Sequence, residues 1–115
     1  MEKLDILKFI LPEEFVLHFD LMNMKTEGEQ LIFSLDEKNV KPPEHNNKEL
    51  ESKGFISSIQ ILDFPIRDKG VILKVRRRKW KDKKTGKTYT RNWELKEKGT
   101  SYTKEFAAFL KEINR

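Results

Sequence analysis

Between Val71 and Trp80 the sequence alternates as a β-strand does, yet it carries three consecutive arginines, Arg76, Arg77 and Arg78, inside Lys74-Val75-Arg76-Arg77-Arg78-Lys79-Trp80-Lys81. Strand side chains point alternately to opposite faces. That rule sets Val71, Leu73 and Val75 on one side and Ile72, Lys74, Arg76, Arg78 and Trp80 on the other. One face is core and the other is basic. The surrounding charge is segregated in the same sense. Residues 1–50 hold 6 Lys and no Arg against 11 acids, whereas residues 51–115 hold 18 basic residues against 8 acids. From Arg67 to Arg91 there are 12 basic and 2 acidic side chains. A field so concentrated attracts phosphate through counterion release, so nucleic acid is the first partner to consider. A run of charge is often only a solvated face. Three arginines flanked by Trp80 and Tyr89 are more than solubility requires, because planar guanidinium donors suit phosphates and base edges.

A chain of 115 residues has room for one domain, 1–115, with one modest core. It contains no Cys, so a disulfide framework and a thiolate zinc site are excluded, and the two separated histidines, His18 and His45, do not make a metal site. Neither a metal nor a cofactor is expected. No apolar run approaches the ~20 residues that span a bilayer, and the N-terminus opens with Glu2, Lys3 and Asp5. The expectation is a cytoplasmic protein without membrane contact.

The apolar positions Leu4, Ile6, Leu7, Phe9, Ile10 and Leu11 predict an N-terminal helix, and Pro12 before Glu13 and Glu14 predicts a second helical start. Partial alternation from Asp20 to Thr26, the turn Glu27-Gly28-Glu29 and the stretch Gln30 to Leu35 predict a hairpin, completing an acidic helix-hairpin half over 1–38. Residues 39–54, with Pro42-Pro43 and Asn46-Asn47, read as a long mobile loop holding a solvated His45. His18 reads as a surface or core-edge residue. A basic hairpin-and-helix half follows over 55–115. Phe55 to Ile66 and Val71 to Trp80 form a hairpin about Arg67-Asp68-Lys69-Gly70. Asp82-Lys83-Lys84-Thr85-Gly86 turns the chain into Lys87 to Trp93. If Val75 pairs near Trp93, then Thr88 and Thr90 join Arg76, Arg78 and Trp80 on the outer face, a register that a one-residue slip inverts. Thr103 caps an amphipathic helix with Phe106, Phe109, Leu110 and Ile113 at helical spacing. The class is α+β: helix, hairpins in a small antiparallel sheet, and a C-terminal amphipathic helix.

Ile61-Leu62-Asp63-Phe64-Pro65-Ile66, the strand from Val71 to Trp80, Thr85-Gly86-Lys87, Trp93, Gly99-Thr100 and Phe106 to Ile113 together resemble the N-terminal region of ISAon-type insertion-sequence transposases. With the looser likeness of the first helix and hairpin, the resemblance covers nearly the whole chain. A more distant resemblance is to the zinc-ribbon head of ISL-type DDE transposases, in which a cysteine pair follows the arginine-ended strand. Around Lys81 to Gly86, where the second cysteine pair of the ribbon would fall, this sequence has Lys, Asp, Thr and Gly. The resemblance therefore implies a degenerate zinc-ribbon-like hairpin without metal, held by Leu73, Val75 and Trp93. It also implies an accessory polypeptide that works with a separate catalytic DDE transposase, since 115 residues cannot hold the ribonuclease-H-like domain.

No nucleophile-and-base set, phosphate loop or paired carboxylates appear, so an enzyme is not expected. Asp63 and Asp68 read as caps of backbone amides at a turn. The leading expectation is a DNA-binding accessory region contacting duplex element ends. Its candidate contacts are Lys74, Arg76, Arg77, Arg78, Lys79, Trp80, Lys81, Lys83, Lys84, Lys87 and Arg91, with Trp80 or Tyr89 packing on sugar or base. The alternatives are a protein-interaction module docking a catalytic subunit through the acidic half and the apolar edge of the last helix, and a small RNA-binding protein that stacks bases on Trp80.

Overall fold

The computed structural model describes residues 3–114, with side chains from Ile6 onward, so the placement of the Leu4 side chain lies outside the described set. Helix α1 (Lys3–Ile10) turns Leu7 inward, and Leu11 just beyond it is buried as well. Pro12 stops that helix and starts α2 (Glu13–His18), where Glu13 and Glu14 face the positive end of the helix dipole. Phe15 and Val16 of α2 are buried. The chain then becomes strand β1 (Phe19–Glu27) and returns as β2 (Gln30–Glu37). Gly28, at φ 60°, supplies the positive dihedral that a two-residue hairpin loop requires. The two expected helices and the first hairpin are thus present.

Residues 39–54 depart from the expected structureless loop. A 3-10 turn occupies Pro43–His45, and strand β3 (Leu50–Phe55) follows. The apolar period was invisible because β3 is LESKGF, with polar residues on both faces. Phe55 and Ile66 also do not share one strand: β3 ends at Phe55 and β4 runs over Ile59–Ile66. Strand β5 (Lys69–Arg76) then forms the expected hairpin with β4. Arg67 and Asp68, at φ 52° and 68°, make its two-residue turn.

The larger sheet has the order β1-β2-β5-β4, and β2 lies parallel to β5 with Leu35 opposite Val75 and Asp36 opposite Arg76. The sheet is therefore mixed rather than purely antiparallel. Its centre is β5, where Val71, Ile72, Leu73 and Val75 are all buried, the near-continuous apolar run that a parallel-paired central strand carries. Helices α1 and α2 bring Leu7, Leu11, Phe15 and Val16 into the core, joined by Phe33, Leu35, Ile61 and Leu95.

Beyond Arg76 the chain leaves this sheet. Strand β6 (Arg78–Asp82) pairs with β3 and with the short strand β7 (Thr88–Thr90), forming a second sheet in the order β3-β6-β7. The basic run is split between two sheets, with Arg77 as the joint. This break corrects the continuous strand from Val71 to Trp80. It also corrects the assumed register, because Val75 pairs with Leu35 and Ile59 while Trp80 pairs with Tyr89. Finally Thr103 caps α3 (Lys104–Ile113), accepting a hydrogen bond from the Phe106 amide at 3.4 Å, as expected. Residues 101–103 also bind the open side of β4, with the Leu62 amide donating to Ser101 O at 2.7 Å and the Thr103 amide to Leu62 O at 2.9 Å. Among the described residues, no helix is long and apolar enough to cross a membrane.

Candidate nucleic-acid interface

The joint at Arg77 decides which basic side chains face outward. In an unbroken strand Arg78 and Trp80 would follow Lys74 and Arg76 onto one face. The reorientation of β6 instead buries Trp80 and Asp82 and leaves Lys79 and Lys81 exposed. Trp80 is 2% exposed, so it cannot pack on a sugar or base in this fold, and its expected place on the basic face is corrected. Its indole donates to Oε2 of Glu37 at 3.3 Å. Trp93 donates to Oε1 of the same carboxylate at 3.0 Å, and so does the Arg78 amide at 3.0 Å. Glu37, at the end of β2, is itself 2% exposed. Three N–H groups thus satisfy a buried carboxylate and lock the two sheets together.

Arg76, Arg78 and Arg91 are engaged by partners within the protein. Arg76 makes a two-pronged contact with Asp36, at 2.7 and 2.6 Å, and stacks 4.1 Å from the Phe55 ring centre. This hydrogen-bonded partner raises the guanidinium pKa above its ordinary value. Arg78 donates from Nε to Glu37 O at 2.7 Å and from Nη1 to Ser52 Oγ at 2.8 Å, and it lies 4.7 Å from the same Phe55 ring. Arg77 is half-buried at the joint, its Nε without a hydrogen-bond partner. Arg91 binds Glu44 at 3.0 Å and stacks over Trp93 at 4.2 Å. These groups act mainly as struts, and the sequence could not distinguish a strut from an open phosphate contact.

The lysines differ. Across the small sheet, Lys81 lies between Glu51 and Thr88, and Lys79 lies opposite Thr90. These residues share the outward face. The turn beyond β6 is internally braced, since Asp82 Oδ1 accepts from the Lys84 amide at 2.9 Å and Thr85 Oγ1 from the Lys87 amide at 3.2 Å. It carries Lys83, Lys84 and Lys87, all exposed. Lys83 pairs with Glu51 at 3.7 Å and Lys84 with Glu49 at 3.6 Å. Lys79, Lys81 and Lys87 form no ion pair among the described residues. Lys74 is also exposed, but it belongs to the larger sheet, opposite Ser34 and Gln60. Lys53, absent from the sequence-derived set, reaches this face from β3 and binds Glu51 at 3.1 Å. Only the pairing of β3 with β6 reveals it.

The histidines lie elsewhere. His18 stacks against Trp93 at 5.0 Å, matching the expected core edge, whereas His45 is half-buried against Tyr89 at 5.0 Å rather than solvated. No family model, curated protein or solved structure matches the chain.

Proposed function

We propose that this chain is a non-catalytic DNA-binding accessory region of an insertion-sequence transposase, laying one face of its small sheet along the backbone of duplex DNA. The observation that carries this reading is the pair Lys79 and Lys81, which project from the outward face of β6 beside the hydroxyls of Thr88 and Thr90, with Lys87 exposed at the adjoining turn and none of the three in an ion pair among the described residues. Lysine ammonium groups act as point charges toward phosphate, and threonine hydroxyls add phosphate hydrogen bonds. The engagement of Arg76, Arg78 and Arg91 inside the protein favours backbone contact over base reading, since bidentate arginine is the usual reader of guanine. The likeness of residues 61–113 to ISAon-type transposase N-terminal regions supplies the transposase context and a catalytic DDE polypeptide as the second partner.

Fluorescence anisotropy with labelled duplex DNA, single-stranded DNA and RNA over a salt series tests this reading. Duplex binding should weaken with salt, and the Lys79→Ala, Lys81→Ala, Lys87→Ala triple variant should flatten the log-log slope by about 2.7, at about 0.9 per phosphate. Absence of duplex binding at low salt would favour the second reading, a protein-interaction module. That reading is supported by Phe109 and Ile113, which remain 46% and 59% exposed on α3, with Phe109 packed beside Phe64.

A further inference from the structure

We infer that Glu51 occupies a phosphate position on the lysine face, and that nucleic acid displaces it so that Lys53 and Lys83 exchange a carboxylate for a phosphodiester. The inference rests on the nucleic-acid reading above and adds a binding position and a built-in competitor to it.

Glu51 stands on β3 directly opposite Lys81 of β6. Its Oε1 is 3.1 Å from Lys53 Nζ and its Oε2 is 3.7 Å from Lys83 Nζ. Each carboxylate oxygen therefore faces a different ammonium, while a third lysine lies across the strand pair. Two anionic oxygens held between lysines are what a phosphodiester presents with its non-bridging oxygens. The hydrogen bond from Lys53, followed by the charges of Lys53 and Lys83, holds the Glu51 carboxyl below its ordinary range. All three side chains are between 38% and 58% exposed, so solvent and a ligand can both reach the cluster. Glu49 holds Lys84 in a similar way at the edge of the same face.

The arrangement divides the face into two groups. Lys79 and Lys81, with Lys87 exposed at the adjoining turn, are ready to meet phosphate on arrival. Lys53 and Lys83 contribute only after Glu51 is displaced, which lowers net affinity without removing contacts from the final complex. The exchange breaks and forms ionic contacts only, and no covalent step is involved.

Salt-dependent anisotropy with duplex DNA tests the inference. Glu51→Gln should tighten binding about two- to fivefold, the scale of one exposed ion pair, while Glu94→Gln, which removes a carboxylate paired with Lys104 on another element, should change it less than twofold. In the Glu51→Gln background, Lys53→Ala and Lys83→Ala should each flatten the log-log salt slope by about 0.9. Melting temperatures of all variants should stay near that of the parent. If the parent binds and the Lys79 and Lys81 variants flatten its slope, but Lys53→Ala and Lys83→Ala leave it unchanged, the exchange is overturned and the nucleic-acid reading stands. Equal tightening by Glu51→Gln and Glu94→Gln would likewise reduce Glu51 to generic charge. A parent that does not bind at low salt overturns both.

Discussion

The indole of Trp80 meets the carboxylate of Glu37 at 3.3 Å across 43 residues of sequence, joining the central strand of the small sheet to the last residue of a strand in the large one. Both groups are 2% exposed. Trp80→Ala should therefore destabilise the protein by about 3–5 kcal/mol through lost volume. Trp80→Phe should cost less, retaining much of the packing but leaving Glu37 one donor short. Urea denaturation of the two variants measures the difference. A Trp80→Ala protein as stable as its parent would contradict the burial of this side chain.

Glu37→Gln retains the shape of the side chain but changes its hydrogen bonding. The carboxylate accepts from Trp80, Trp93 and the Arg78 amide. A carboxamide offers one oxygen and one NH2 group, so one indole N–H must face another donor. The expected cost is about 1–3 kcal/mol, the usual penalty for a buried polar group left unsatisfied. Chemical denaturation reads it directly, and a neutral substitution would show that water or a rearranged indole satisfies the site.

Much of this fold was legible because local rules suffice for it. Pro12 with Glu13 and Glu14, Gly28 between two strands, and Thr103 before an i, i+3, i+4 apolar stripe each dictate a local outcome. What remained hidden depended on partners distant in sequence. The alternation of Val71 to Trp80 gives strand character throughout, but the break at Arg77 is imposed by Glu37, whose carboxylate takes the Arg78 amide and the Trp80 indole together. That carboxylate also decides which side of β6 is inside. Of the basic residues that the sequence singles out between 74 and 91, the lysines are exposed, whereas the roles of Arg76, Arg78 and Arg91 depend on Asp36, Ser52, Glu44 and Phe55, none of which is close to them in sequence.

Asp63 gives the fold a pH dependence. Burial raises its pKa above the ordinary 3.8, against the opposing hydrogen bonds from Thr103 and the Phe64 amide, and nearby Glu105 adds to the increase. Its Oδ1 accepts from Thr103 Oγ1 at 2.8 Å. Because the folded protein takes up this proton before the unfolded chain does, the contribution of Asp63 to stability grows as pH falls through the folded pKa. It levels off below 3.8 and is lost again as pH rises. Asp63→Asn removes the charge and keeps an acceptor for Thr103. Its stability relative to the parent should therefore be greatest at pH 7 and decline toward pH 3. Melting curves across that range would refute the assignment if the relative stability moved in the opposite direction.

The turn between β4 and β5 places two non-glycine residues in the left-handed region, Arg67 at φ 52° and Asp68 at φ 68°. Such positions favour Asn-Gly or Asp-Gly. Asp68→Gly should relieve the strain, with an expected gain of up to about 1 kcal/mol, smaller if the added freedom of the unfolded chain offsets it. Thermal denaturation checks the sign, and a loss of stability would show that Asp68 makes a compensating contact.

The arginines provide the sharpest separation between fold and interface. On sequence alone, Arg76→Ala and Arg78→Ala should flatten the salt dependence of DNA binding and spare the fold. The geometry reverses that expectation for Arg78, whose Nε and Nη1 satisfy Glu37 O and Ser52 Oγ at 2.7 and 2.8 Å while its guanidinium covers Phe55. Its removal leaves two acceptors to find new partners and uncovers the part of the ring that Arg76 does not stack on, at an expected cost of about 1–3 kcal/mol. Lys79→Ala, by contrast, removes an exposed side chain with no ion pair among the described residues and should leave stability within about 0.5 kcal/mol. In paired measurements of melting and salt-dependent DNA binding, Arg78→Ala should move chiefly the first and Lys79→Ala chiefly the second. If Arg78→Ala instead flattened the salt slope by about 0.9 without lowering stability, the guanidinium would leave its internal acceptors to bind phosphate, and the division of labour between arginine struts and lysine contacts would fail.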